Sequence, residues 1–131
     1  MCSILLVEDH DDTRVVFTKL LKSWGHDVSA AESVRNGLEL LEKSSVDVVL
    51  SDIGLPDGDG CDLIRAVRRS HPDVIAIAVS AYCVAADKQR SLESGFDMHF
   101  AKPVDLVRLH SVLAATFARR AALQSLHRGQ S

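Results

Sequence analysis

Short apolar runs alternate along the chain with stretches in which apolar residues return every three or four positions. The runs are Ser3 to Val7, Val28 to Ala31, Val46 to Leu50, Val74 to Val79 and Asp97 to Ala101. Runs of this length, rich in β-branched residues and bounded by turn residues, read as strands buried on both faces of a parallel sheet. Between them Phe17, Leu20, Leu21 and Trp24 recur at helical spacing, as do Val34, Leu38 and Leu41, then Leu63, Ile64 and Val67. Leu106, Leu109, Leu113 and Phe117 mark a last helix that runs on through Leu123. A helix over about Val84 to Ser94 carries few large apolar residues and is expected to be the least firmly packed. Asp11 or Asp12 is the expected N-cap of the first helix and Ser33 that of the second. Gly25, Ser70-His71-Pro72 and Gly95 are the expected stops.

Strands that alternate with helices imply an α/β domain with helices on both faces of a parallel sheet. Among doubly wound arrangements the flavodoxin-like (βα)5 order 2-1-3-4-5 is the expectation. Residues 1–121 form one domain, and residues 122–131 a helix extension or frayed tail.

Composition narrows the class. The 131 residues are 47% hydrophobic and 25% charged, an ordinary balance for one globular core. No apolar run approaches the ~20 residues of a membrane helix. Met1 to Glu8 lacks the basic start of a signal peptide. Cys2, Cys61 and Cys83 are an odd number at no metal-ligand spacing, which suits a reduced, cytoplasmic protein. A net charge of −3 argues against general electrostatic capture of nucleic acid.

All strand carboxyl ends of a parallel sheet lie on one edge, where open α/β sheets place ligand chemistry. That edge receives Glu8 and Asp9 from strand 1, Asp52 from strand 3, Ser80 from strand 4 and Lys102 from strand 5. Read alone, Asp52 is also an ordinary turn residue ahead of Gly54 and Pro56. Three convergent carboxylates, however, repel one another and raise each other's pKa. A divalent cation resolves that conflict, and an all-oxygen, carboxylate-rich site with room for water suits Mg²⁺. Lys102 and Ser80 beside it suit a phosphoryl group.

Glu8-Asp9, then Asp52 with Leu55-Pro56-Asp57-Gly58-Asp59-Gly60, then Ser80-Ala81, then Lys102-Pro103 together resemble the receiver domain of two-component response regulators, over roughly Ile4 to Phe117. The resemblance implies a signalling domain that catalyses only its own phosphorylation and slow dephosphorylation. It implies that Asp52 accepts a phosphoryl group from a histidine kinase or histidine phosphotransfer protein. Asp9 is then a direct Mg²⁺ ligand, Glu8 a water-mediated one, and Asp52 and the Gly54 carbonyl complete the set. Ser80, Ala81 and Lys102 hold the phosphoryl group, and the Lys102–Pro103 peptide is cis. The helix 4–strand 5–helix 5 surface switches. No nucleic acid or membrane contact is implied, and a weak homodimer is compatible. A stand-alone regulator and the receiver of a hybrid histidine kinase both fit, since Gly95-Phe96-Asp97 and Lys102-Pro103-Val104-Asp105 resemble the latter. No output domain is expected after the fifth helix.

Some positions depart from that pattern. Three residues before Lys102 the family usually carries an aromatic switch residue; here it is His99, with Phe100 next to it. Gly54 and Tyr82, at positions that influence phosphate lifetime, give no clear expectation. The six histidines offer no pair at metal-ligand spacing on a helix face and read as solvated or structural; only His10 directly follows an acid of the edge, Asp9. Cys61 and Cys83 read as packing residues, and Arg119, Arg120 and Arg128 as helix C-terminal charges. Two rival classes fail on named positions. A phosphohydrolase resembling the haloacid dehalogenases needs a second acid where Gly54 stands. A flavodoxin-like cofactor domain or a P-loop needs a phosphate loop where Glu8-Asp9-His10-Asp11-Asp12 stands.

Overall fold

The computed structural model describes residues 2–80 and 85–115, with backbone alone over 85–88. In chain order it contains β1 (Ser3–Val7), α1 (Asp11–Ser23), β2 (Asp27–Ala31), α2 (Val34–Lys43), β3 (Val48–Asp52), α3 (Gly60–Ser70), β4 (Ile75–Ser80), α4 (Ala85–Ser94) and β5 (Met98–Ala101). A last helix, α5, covers residues 106–115. The five strands pair in the order β2-β1-β3-β4-β5, and every pairing is parallel. This is the flavodoxin-like doubly wound sheet that the strand–helix alternation implies. Among the described residues no helix is long and apolar enough to cross a membrane.

The strands are apolar on both faces because each face meets a helical layer. Leu5, Val7, Val49, Ala76 and Ala78 point one way and pack with Leu41, Leu63, Ile64 and Val67 of α2 and α3. Ile4, Leu6, Val48, Leu50, Ile77 and Val79 point the other way and pack with Leu21 of α1 and Leu109 and Leu113 of α5. Successive strand residues alternate between faces, so one run fills both cores.

α4 turns the small residues Ser91 and Ser94 inward and leaves Leu92 half exposed. Its sequence carries few large apolar residues. Its end is fastened by Arg68, whose Nε and Nη2 donate to the Gly95 carbonyl at 3.0 and 2.7 Å. Nη2 also donates to Asp97 Oδ2 at 2.8 Å, and that oxygen accepts from Ala76 N–H at 2.8 Å. One guanidinium thus joins α3, the turn after α4 and the starts of β4 and β5. Gly95 makes the turn at φ +126°, a conformation that disfavours other residues.

One local expectation is corrected. Asp11 and Asp12 are not N-caps: His10 is the N-cap of α1, with extended backbone and no side-chain capping bond. The two acids lie in the first turn, where the helix dipole favours them, and Asp11 pairs with Arg14. After Asp52, Gly54–Leu55 pairs antiparallel with Gly58–Asp59. Ala81, Tyr82, Cys83, Val84, Phe117, Arg119, Arg120, Leu123, Arg128 and the tail, on which the sequence also gives expectations, lie outside the described residues.

Gly60 brings this loop back against the end of β3. Its N–H donates to the Ile53 carbonyl at 2.7 Å. A Cβ there would stand 2.4 Å from the Asp52 carbonyl oxygen and 3.0 Å from Ile53 Cα. Both obstacles are backbone, so a side chain must displace the strand end. Gly60→Ala is therefore expected to destabilise the domain by about 1–3 kcal/mol and to shift the Asp52 and Ile53 amide resonances. Denaturant melts and an amide shift map would check this.

Candidate functional site at the carboxyl edge of the sheet

The carboxyl ends of β1, β3, β4 and β5 bring Glu8, Asp52, Ser80 and Lys102 to one place. Glu8 follows β1, and its N–H donates to the Ala31 carbonyl at 3.0 Å. Arg14 Nη1 donates to the Glu8 carbonyl at 2.9 Å, bracing the β1–α1 turn from within the first helix. Asp52 is the last residue of β3, paired in register with Val79. Lys102 follows β5, its N–H donating to the Ser80 carbonyl at 2.8 Å. The Lys102–Pro103 peptide is cis.

The side chains meet closely. Lys102 Nζ lies 2.8 Å from Asp52 Oδ2 and 3.5 Å from Glu8 Oε2. Glu8, Asp52 and Ser80 are all buried, so their charges and dipoles are only weakly screened by water. Burial raises the Glu8 carboxyl above its ordinary value, and the hydrogen bond and negative charge of Asp52 raise it further. Lys102 and the His10 N–H pull in the other direction without prevailing. For Lys102, burial works to lower the ammonium pKa, but Asp52 and Glu8 outweigh it and hold it above the usual lysine range.

Asp9 lies at the rim with its side chain 31% exposed. Its Oδ1 is nevertheless shielded from solvent and has no hydrogen-bond partner. A buried carboxylate oxygen without a donor is costly, and a cation is what such an atom accepts. Glu8, Asp9 and His10 each place one ligand atom within 4.8 Å of the others. Gly54 lies in the exposed short antiparallel pair two residues beyond Asp52. Oxygen donors dominate the set, and Mg²⁺ fits it.

The other loop acids are engaged elsewhere. Asp57 accepts from Val34 and Arg35 N–H at 2.9 and 3.1 Å, and those amides, Arg35 first, hold its carboxyl below the usual aspartate range. Asp59 caps α3 through Cys61 N–H at 2.8 Å and pairs with Arg90 of α4 at 2.9 Å. Neither bridge, nor the brace from Arg14, has a sequence signal beyond ordinary capping preference. Cys61 is buried, which raises its thiol pKa, in keeping with a packing role.

His99 sits opposite Ala78 in the β4–β5 pairing and is buried. Strand alternation turns it toward the face of the sheet that carries Ala78. Phe100 faces the opposite core, beneath the Arg108 guanidinium at 4.8 Å. The neighbouring aromatic therefore cannot stand in for the residue at position 99. Among the other described histidines, His26 accepts from Cys2 N–H at 3.1 Å, and the His110 ring packs tilted against Trp24 with centroids 4.5 Å apart.

A cavity of about 290 Å³ opens below the charged groups. Glu8, Asp52 and Lys102 lie at its polar end, and Leu6, Phe17, Leu50, Val79 and Leu106 line the remainder.

Known proteins resemble this chain in sequence and fold. Residues 4–114 match the model of the response regulator receiver domain. The sensor histidine kinase RcsC of Salmonella typhi is 37% identical over 111 residues, 85% of this chain and 12% of that kinase. The response regulator protein PilR of Pseudomonas aeruginosa is 32% identical over 116 residues, 88% of this chain and 26% of PilR. The chain thus spans only a small part of these relatives. A two-component response regulator from Clostridium difficile superimposes with a TM-score of 0.87 at 21% identity, covering 92% of this chain and 98% of that one, a likeness of fold. With its sheet order and its matched span, the chain belongs to the response regulator receiver domain family.

Proposed function

We propose that this receiver domain takes a phosphoryl group onto Asp52 from a phosphohistidine of a histidine kinase or histidine phosphotransfer protein in the cytoplasm. The observation that carries the reading is the Asp52 carboxylate, buried at a strand end with Lys102 Nζ 2.8 Å away and Glu8 beside it.

In the transfer, an Asp52 carboxylate oxygen forms the new P–O bond while the P–N bond of the donor breaks. The electron pair of that bond returns to the donor imidazole. The transferring group spreads negative charge over its equatorial oxygens. Lys102 stands where that charge develops, and Ser80 lies at the end of the neighbouring strand. Asp9, Asp52 and the Gly54 carbonyl would hold Mg²⁺, with Glu8 acting through water, and the ion would neutralise both the crowded acids and the incoming phosphoryl oxygens. The exposed apolar residues Val15, Val16, Leu106 and Val107 of α1 and α5 offer contact area to the phosphodonor protein near the same edge.

The product carries more charge and more acceptor oxygens than the carboxylate. Lys102 and Ser80 can grip those oxygens only after transfer, and that difference in contacts shifts the balance between two conformations. Ser80 is joined to β5 through the Lys102 N–H, so its movement reaches the α4–β5–α5 surface, where His99 is the buried residue that must repack.

With Mg²⁺ and acetyl phosphate the protein is expected to gain one labile phosphoryl group by intact mass. Asp52→Asn abolishes the gain, whereas Asp57→Asn and Asp59→Asn retain it. Label remaining on Asp52→Asn would exclude Asp52 as the acceptor.

Glu8 makes a second outcome measurable. Because its folded pKa is raised, its protonated form favours the fold at low pH, and that contribution is lost as pH rises through the raised value. At neutral pH without metal, above the ordinary carboxylate range, the raised group therefore contributes less stability than it does at low pH. Glu8→Gln is expected to raise the metal-free melting temperature at pH 7 and to reduce the further rise that Mg²⁺ gives the wild type. Thermal melts with and without Mg²⁺ check both, and a lower metal-free melting temperature would contradict the account.

A further inference from the structure

Most of the cavity beneath the acid edge has no use in the function proposed above. Leu6, Leu50 and Val79 wall it from β1, β3 and β4, Phe17 from α1, and Val104 and Leu106 from the segment that leads into α5. A metal ion and a phosphoryl group need oxygen and nitrogen partners. They can occupy the charged end, but the apolar wall offers them nothing. Water is a poor occupant of that part too, because an ordered water needs several polar partners. An apolar cavity of about 150 Å³ takes up benzene. The space here, about 290 Å³, has room for a ring with a short chain. Leu106 is 42% exposed, and Thr13 and Val104 are half-buried, so this wall reaches the surface and gives a way in.

The charged end fixes the sign of what can enter. The Glu8 and Asp52 side chains, 6% and 10% exposed, both lie there. Lys102 is the one cation among the described lining residues. Its short contact is with Asp52, at 2.8 Å, and it meets Glu8 Oε2 only at 3.5 Å. Glu8 Oε1 meets the His10 N–H and ring at 3.4 and 3.3 Å. None of these three Glu8 contacts is short, so its carboxylate can accept a closer ammonium donor. With weak screening, an excess buried carboxylate attracts a cation and repels an anion.

We propose that this cavity binds a small organic monocation with an apolar body, of the arylalkylammonium class. The ring lies among Leu6, Phe17, Leu50 and Val79, and the ammonium meets Glu8 and Asp52. The domain thereby has a small-molecule input at its acid edge. Bound ligand and a group carried on Asp52 exclude each other, and this consequence alone rests on the acceptor reading of Asp52.

The test uses the full chain without metal, with 2-phenylethylamine as probe and side-chain methyl NMR as readout. The Leu6, Leu50 and Val79 methyl shifts are expected to saturate at about millimolar ligand or below. Phenylacetate, with a similar body and the opposite charge, should bind at least about tenfold more weakly. Methylammonium, the charge without the body, should leave those methyls unmoved. Glu8→Gln should weaken 2-phenylethylamine at least about fivefold and leave phenylacetate no weaker. Thr13→Phe and Val104→Phe each add bulk to the partly exposed wall and should remove the saturable response, with thermal melts confirming that each is folded. No saturable shift in wild type, a response confined to the surface residues Val15, Val16 and Val107, equal binding of phenylacetate, or a full response in a folded Phe variant would overturn the proposal. With Mg²⁺ present, beryllofluoride should displace the amine, and simultaneous binding would overturn the exclusion. Failure of beryllofluoride to bind at all would instead count against the acceptor reading of Asp52, and the metal-free amine titration would still decide the site.

Discussion

The contact between Lys102 and Asp52 is the constraint around which the carboxyl edge is built. A buried carboxylate without a partner would be neutralised or expelled. Lys102 Nζ at 2.8 Å gives Asp52 that partner, and the same ammonium reaches Glu8. The partners come from the ends of β1, β3 and β5, so the cluster exists only when the sheet has closed in its proper order. Fold and site are thus tied at one point. β3, the central strand, supplies the acid, and the chain must travel through two further strands before it supplies the base.

That arrangement leaves a deliberate imbalance. One lysine faces two buried carboxyls, and Asp9 stands at the rim with a shielded oxygen that makes no hydrogen bond and has only His10 Nδ1 near it, at 3.4 Å. Excess negative charge of this kind strains a resting protein but readies it for a cation and a phosphoryl group. The surrounding scaffold is correspondingly firm. Gly60 holds the β3 exit against the following loop, Asp57 fastens that loop to α2, and Asp59 joins it to Arg90 of α4. The last link passes from the neighbourhood of Asp52 to α4, the helix whose sequence carries few large apolar residues.

Hydrophobic runs were enough to predict the strands, because a strand buried on both faces leaves a continuous apolar signature. The edge residues Glu8, Asp9, Asp52, Ser80 and Lys102 were legible for a related reason: in a parallel sheet, position at a strand end determines position in space. What stayed hidden depends on geometry between elements. Asp11 and Asp12 have good capping chemistry, yet the chain enters α1 one residue earlier, at His10. The bridges from Asp57 to α2 and from Asp59 to Arg90 join segments far apart in sequence and follow no local pattern. The burial of His99, with Phe100 turned to the other core, emerges only from the phase of β5.

The central claim is that Asp52 and Lys102 together form a phosphoryl-accepting pocket. Fluorine NMR of the protein with beryllofluoride, a mimic of the aspartyl phosphate, tests it without a cognate kinase. In the presence of Mg²⁺ the wild type should give bound fluoride resonances. Asp52→Asn should lose them, and Lys102→Ala should retain them only weakly. Undiminished bound resonances in Asp52→Asn would contradict the account.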